Sequence, residues 1–180
     1  MGNPLIGIVM GSNSDVERLR GAFNILNELG VSFEVTIASA HRTPEDVVNY
    51  AKNARDRGIK VILAAAGLSA ALPGALAANT SLPVIGLPLD VGPLKGIDAL
   101  LSIAQMPSGI PVATVGIGQA VNAALLAVQI LSTCDESWGE KITEYRNKSS
   151  KKVLEARKNL GELPTTPPEA FCLKTRLGLD

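Results

Sequence analysis

Residues 5–15 read LIGIVMGSNSD. Leu5 to Met10 is an unbroken apolar run with no polar alternation, as expected of a strand covered on both faces. Gly11-Ser12-Asn13 punctuates it. From Ser14 to Leu29 apolar residues recur at Val16, Leu19, Phe23 and Leu26, which predicts one face of a helix. Ser14 and Glu17 have capping-box spacing, and Gly30 is placed to stop the helix. Strand, tight turn, helix: this is the first half of a βαβ unit, and it decides the fold because the same phrase returns down the chain.

Outward from it, Ser32–Ala38 predicts a second strand and Pro44–Arg57 a second helix, with Pro44 in its first turn and Gly58 at its end. Val61–Ala66 predicts the third strand, and about Ala71–Asn79 a helix of small residues. Pro83–Pro88 predicts the fourth strand and Gly96–Gln105 a short helix. Pro111–Ile117 predicts the fifth strand and about Gln119–Ser132 a long apolar helix. Strands alternating with helices over short links predict an α/β doubly wound parallel five-stranded sheet, a flavodoxin-like three-layer sandwich. Trp138–Leu160 predicts a charged C-terminal helical tail, a solvated face because Glu140, Glu144 and Glu155 are interspersed among its lysines and arginines. The expected organisation is one domain over residues 1–160, with 161–180 an extended tail that packs on a neighbouring subunit through Phe171 and Leu173. The helix around Ala120–Leu131 is broken only by Asn122 and Gln129, where an outer helix should show a polar face. It and the alanine-rich helix want covering on both sides, which predicts a homo-oligomer.

Bulk properties narrow the function classes. Lys+Arg and Asp+Glu are both 17, so the chain has no basic surplus to displace counterions from nucleic acid. Cys134 and Cys172 form neither a CxxC motif nor a disulfide framework, and read as buried or idle thiols in a reducing compartment. The first residues lack a charged start and a cleavage site, so a cytoplasmic location is expected. Val61–Ala78 is 18 residues long with only Ser69 polar, but Gly67, Pro73 and Gly74 interrupt it, which argues against a membrane span.

In an open α/β sheet, ligands bind beyond the carboxyl ends of the strands where the strand order reverses. For the order 2-1-3-4-5, the loops after strands 1, 2 and 3 meet there. The first enters a helix N-terminus, where free N–H groups and the dipole favour an anion. Ser12 and Ser14 offer hydroxyls to a phosphate, and Asp15 could accept from sugar hydroxyls; the plain alternative is that Ser14 and Asp15 only cap the helix. The second, SAHRTP, holds His41, the one histidine of the chain, beside Arg42. Arginine offers phosphate a planar fork, and histidine can give and take a proton near neutral pH. The third, from Ala64 to Ala78, carries only Ser69 as a side-chain hydrogen-bonding group, so a flat ligand could approach its backbone closely, with simple close packing as the alternative. GIGQAV at 116–121 lacks the third glycine of a dinucleotide fingerprint and is set aside.

Taken together, MGSNSD, SAHRTP, ALPG, PVIGLP and QMPSGIPVATV resemble the PurE family of purine biosynthesis, in order from about Leu5 to Leu131. The resemblance implies transfer of a carboxylate from the exocyclic nitrogen of N5-carboxyaminoimidazole ribonucleotide to ring carbon C4, or, in the animal-type class, direct carboxylation of aminoimidazole ribonucleotide by CO2. It implies a flavodoxin-like fold, no metal, no cofactor and a homo-octamer with sites at subunit contacts. Carried over by position, it implies that His41 is the general acid and base. Asp15 would hold ribose hydroxyls, and Ser12 and Arg42 the phosphate. Ser39, Gly67 and Ser69 would complete the substrate site. One departure stands out: the usual bacterial GGAAHLPG is GLSAALPG here, with Ala71 where a second histidine is expected. A non-catalytic nucleotide-binding module is the alternative of a different class. A phosphoacceptor receiver is excluded because the third strand ends in Ala-Gly, and aromatics at 3% argue against a flavin.

Overall fold

The computed structural model describes residues 3–171. Five strands form one parallel sheet: β1 (Ile6–Met10), β2 (Phe33–Ile37), β3 (Val61–Ala66), β4 (Val84–Pro88) and β5 (Ala113–Thr114), in the order β2-β1-β3-β4-β5. That is the expected reversal, with β1 and β3 flanking the switch point. Every residue of β1, β3 and β4 is buried, which is why these strands read as continuous apolar runs. The helices are α1 (Val16–Glu28), α2 (Pro44–Asn53), α3 (Leu72–Ala77), α4 (Ile97–Ala104), α5 (Ala120–Ser132) and α6 (Glu136–Lys158).

The helices form two layers. Val9, Ile62 and Ala64 of the sheet pack with Val47 and Ala51 of α2, Leu72 and Leu76 of α3, and Ala99 and Ile103 of α4 in one buried cluster. In the other layer α1 and α5 lie against each other, and α5 reaches β3 and β4. Each fully buried side chain such as Ile8, Leu63 or Ile85 contributes about 1.5–3 kcal/mol by leaving water. Register then sets the site: Met10 lies opposite both Ile37 and Ala65, so β1, β2 and β3 end at one level and release their loops together.

Three local expectations are corrected. The Ser14/Glu17 capping box does not form. A short 3-10 turn, Asn13–Asp15, precedes α1; Ser12 caps it by accepting from the Ser14 N–H at 3.3 Å, and Glu17 pairs with Arg20 instead. The second helix ends at Asn53 rather than Arg57, and turns follow until Gly58 at φ 97°. There the Ile59 N–H donates to the Ala54 carbonyl at 3.2 Å, closing the helix end. Finally β5 is two residues long. It pairs only with Ile85 and Gly86 of β4, and Pro111 has no N–H with which to extend the ladder.

The chain divides into two compact units, Met1–Ile142 and Thr143–Asp180, with the division inside α6. Within the first, the Lys141 ammonium donates to the Leu29 carbonyl at 2.7 Å and lies 4.4 Å from the Trp138 ring centre, tying the start of α6 to the end of α1. Within the second, Glu144 and Lys148 pair along the helix, and the Arg157 guanidinium stacks on Phe171 at 3.9 Å. The tail runs without regular structure to a 3-10 turn at Pro168–Phe171, and Leu173 and Cys172 lie outside the described residues. Cys134 is exposed rather than buried. On α5 the alanine face is buried while Leu125, Leu126 and Ile130 stay partly exposed. Beside and on α4, Leu94, Ile97 and Leu101 are exposed. Among the described residues no helix is long and apolar enough to cross a membrane.

Candidate active site

Where β1, β2 and β3 end, their loops enclose a cavity of about 430 Å³. The loops, with Ala66 at the end of β3 and Leu72 at the start of α3, supply every lining residue except Val91, which follows β4. Two walls are polar and the remaining one is hydrocarbon.

The first polar wall is the β1–α1 loop. Ser12 is extended, and its hydroxyl accepts from both the Ser14 N–H and, at 3.0 Å, the Ser14 hydroxyl. Asp15 is 7% exposed, yet it lines the cavity and its side chain makes no capping bond to α1. Burial pushes its carboxyl above the ordinary value. Arg18, the bonds from Ser12 and Ser14, and Arg42 pull the other way without overcoming it. A carboxylate held at that cost beside a cavity is placed to accept from a ligand. The capping alternative falls to Ser12, which does that work. Arg18 braces the loop by donating to the Ser14 carbonyl at 3.3 Å and to Asp90, after β4, at 3.1 Å.

The second polar wall is the β2–α2 loop. The Ser39 N–H donates to the Thr43 hydroxyl at 3.0 Å and the Thr43 N–H to the Ser39 carbonyl at 2.8 Å. This closed turn presents Ala40, His41 and Arg42 to the cavity. The Arg42 Nη2 donates to the Gly11 carbonyl at 2.8 Å and its Nε to the Ser39 hydroxyl at 3.3 Å. Arg42 therefore stitches the two polar walls together and holds its fork in place before any ligand arrives. His41 is exposed and has no hydrogen bond or ion pair among the described residues, so both ring nitrogens remain available for proton transfer.

The hydrocarbon wall is the β3–α3 loop. Gly67 is required for close approach: a Cβ there would lie 1.9 Å from the Val91 Cγ2. The Ala70 N–H closes a turn onto the Gly67 carbonyl at 3.1 Å. The turn forces Leu68 to φ 56° and Ala70 to φ 34°, left-handed conformations that cost non-glycine residues about 1–3 kcal/mol each. Ala66, Leu68, Ala70, Ala71 and Leu72 face the cavity with no side-chain donor or acceptor.

Of the residues singled out in the sequence, Ser12, Asp15, Ser39, His41, Arg42 and Gly67 come together in this cavity. Ser69 does not: it is exposed and outside the lining, because the left-handed residues on either side turn it away. Leu68 and Val91 were not anticipated. An aliphatic residue in a left-handed turn has no local sequence signal, and Val91 enters only because Gly67 leaves room for it. Among the described residues no group of three His, Cys, Asp or Glu side chains could hold a metal ion. An anion near Arg42, hydroxyls near Asp15, a flat ring against the hydrocarbon wall and a proton shuttle at His41 are what this geometry can accommodate.

A family model described as AIR carboxylase matches residues 5–152. The chain is 54% identical over 159 residues to the N5-carboxyaminoimidazole ribonucleotide mutase of Bacillus subtilis, covering 87% of this chain and 98% of that protein. It is 54% identical over 160 residues to the enzyme of the same name from Pyrococcus horikoshii, covering 89% and 90%. It is 51% identical over 154 residues to the phosphoribosylaminoimidazole carboxylase of Saccharomyces cerevisiae, covering 86% of this chain but 27% of that longer protein. Among solved structures, Treponema denticola PurE superposes with a TM-score of 0.79 at 32% identity, over 88% of this chain and 99% of that one. The chain belongs to the AIR carboxylase family.

Proposed function

We propose that this chain is a mutase of purine biosynthesis that converts N5-carboxyaminoimidazole ribonucleotide into 4-carboxyaminoimidazole ribonucleotide. The observation that carries the reading is the 54% identity, over nearly the whole length, to relatives bearing that name. The cavity supports it, because its polar walls suit a ribose phosphate and its bare wall suits a flat heterocycle. Arg42 and Ser12 bind the phosphate, with Ser39 fixing the Arg42 fork. Asp15 accepts from the ribose hydroxyls. Gly67 brings backbone close to the ring.

In the chemical step the carbamate C–N bond breaks, releasing CO2 as the exocyclic nitrogen takes up a proton. Ring carbon C4 then attacks the CO2 carbon, and the new sp3 centre still carries its hydrogen. Loss of that proton restores the aromatic ring, so one proton enters and one leaves. His41 delivers the first and removes the second, and holding both partners in one cavity makes the recapture intramolecular. The reaction as written calls for no cofactor.

A second reading, carboxylation of aminoimidazole ribonucleotide by CO2 directly, is favoured by one feature: Ala71 lines the cavity where a second imidazole would distinguish the usual bacterial motif. Supplying the purified protein with each substrate separately tests the choice. Rapid conversion of the N-carboxylated ribonucleotide without added bicarbonate is the expected result. Turnover of only the uncarboxylated ribonucleotide, and only with CO2, would overturn it. The exposed apolar side chains of α4 and the partly covered face of α5 support a homo-oligomer, read from the family resemblance as an octamer in the cytoplasm. The tail after Gly161 is then a docking segment for a neighbouring subunit.

A further inference from the structure

The β3–α3 loop contains a leucine that stability does not explain. Leu68 sits at φ 56°, where glycine or asparagine would hold the same turn with less strain. Within the single chain its side chain is 52% exposed, so in this fold it recovers little by leaving water. The loop after β4 nonetheless accommodates it. Gly92, itself at φ 77°, leaves the space that Leu68 occupies: a Cβ there would lie 2.5 Å from the Leu68 Cδ2. Gly67, one residue earlier, packs its backbone under Val91. The loops after β3 and β4 thus interlock twice, and Leu68 is held between open solvent and the cavity it lines. Behind it, Ala70, Ala71, Leu72 and Val91 complete a surface without one polar side chain.

From this geometry we propose that Leu68 is a specificity-determining residue that shields the hydrocarbon wall from water, so that CO2 released from the carbamate is recaptured at C4 rather than lost. The inference rests on the mutase reading. CO2 is uncharged and a weak hydrogen-bond acceptor, so an apolar surface competes well for it only while water is kept away. With Ala71 in place of an imidazole, no side chain of this wall can hold it by a charge or a hydrogen bond. Retention then depends on how well the mouth is closed, and Leu68 is the wall's largest half-exposed group.

The test follows the transferred carbon. Substrate labelled with carbon-13 in the carboxylate is converted in the presence of excess unlabelled bicarbonate, and the label retained in the product is compared with the decarboxylated ribonucleotide released, corrected for enzyme-free decay. Leu68→Asn tolerates the left-handed turn but is polar; Leu68→Gly removes the side chain; Leu68→Met restores an apolar one. The Asn and Gly variants are expected to lose CO2 about tenfold more often per product formed, the size of effect that one small apolar contact has on selectivity. Their melting temperature should equal or exceed that of the parent, and Leu68→Met should approach the parent in retention. Unchanged retention in both the Asn and Gly variants, with the parent active, overturns the role of Leu68 alone. A parent that does not convert the carbamate overturns the mutase reading and this inference with it.

Discussion

Replacing Arg42 with alanine separates what that residue does for the fold from what it does for a ligand. In the free protein its guanidinium donates to the Gly11 carbonyl at 2.8 Å and to the Ser39 hydroxyl at 3.3 Å. Arg42 is exposed and both partners are half-buried, so losing these bonds should cost the fold about 0.5–1.5 kcal/mol each. Its remaining N–H groups have no partner among the described residues, Arg42 lines the cavity, and hydrogen bonds from a charged donor are worth about 1.5–3 kcal/mol each. Losing one such bond to a phosphate should therefore raise Kd for the product ribonucleotide roughly 10- to 150-fold. Calorimetric titration of parent and variant with the ribonucleotide and with its dephosphorylated nucleoside isolates the phosphate contribution. The variant should lose affinity for the ribonucleotide and almost none for the nucleoside. Equal losses for both would mean that Arg42 only shapes the loop, and no loss for either would remove it from the site.

His41→Asn should lower kcat by about 10²- to 10⁴-fold, the usual share of a general acid and base, while ligand affinity and melting temperature stay near those of the parent. His41 has no bond within the described protein, so parallel loss of fold and activity would refute the assignment. Asp15→Asn should bind the ribonucleotide more weakly yet be more stable without ligand. The folded protein holds the Asp15 proton more tightly than the unfolded chain does, whose ordinary value is 3.8. Unfolding thus releases a proton between that value and the raised one, and stability falls as pH rises through the interval. The variant's advantage should be full near pH 7 and shrink toward pH 3.8, as read from urea midpoints. A variant no more stable than the parent at pH 7 would contradict the burial argument.

Where physical pattern was strong, the fold could be read from the sequence. β3 occupies the very residues expected, Val61–Ala66, because a strand buried on both faces leaves an unbroken apolar run between a helix-stopping glycine and a small-residue turn. Alternation indicated the doubly wound α/β class, and the order β2-β1-β3-β4-β5 is the one expected of its flavodoxin-like form. The failures lie where tertiary contacts overrule local signals. Ser14 and Glu17 have the right spacing for a capping box, but Ser12 reaches the Ser14 N–H first and winds an extra 3-10 turn ahead of α1. Pro111–Ile117 is apolar enough for a long strand, but as an edge with a proline at its entrance it pairs only with Ile85 and Gly86 of β4.

The candidate site divides the same way. Its polar half was legible because Ser12, Asp15, Ser39, His41 and Arg42 sit at strand ends, and topology places strand ends together. Its hydrocarbon half depends on backbone angles that no residue type announces. Ser69 was the natural choice in the β3–α3 loop, as the only hydroxyl there, yet Leu68 and Ala70 in left-handed conformations rotate it to the outside. That exchange alters the chemistry available to the loop. A hydroxyl facing the cavity could have bound a carboxylate directly. With Ser69 turned out and Ala71 in place of a second imidazole, the loop offers only backbone and hydrocarbon, and the proposed mechanism then assigns proton transfer to His41. If the carboxylate is to cross from nitrogen to carbon here, this wall must act by exclusion of water, while the opposite walls carry all of the charge and all of the proton traffic.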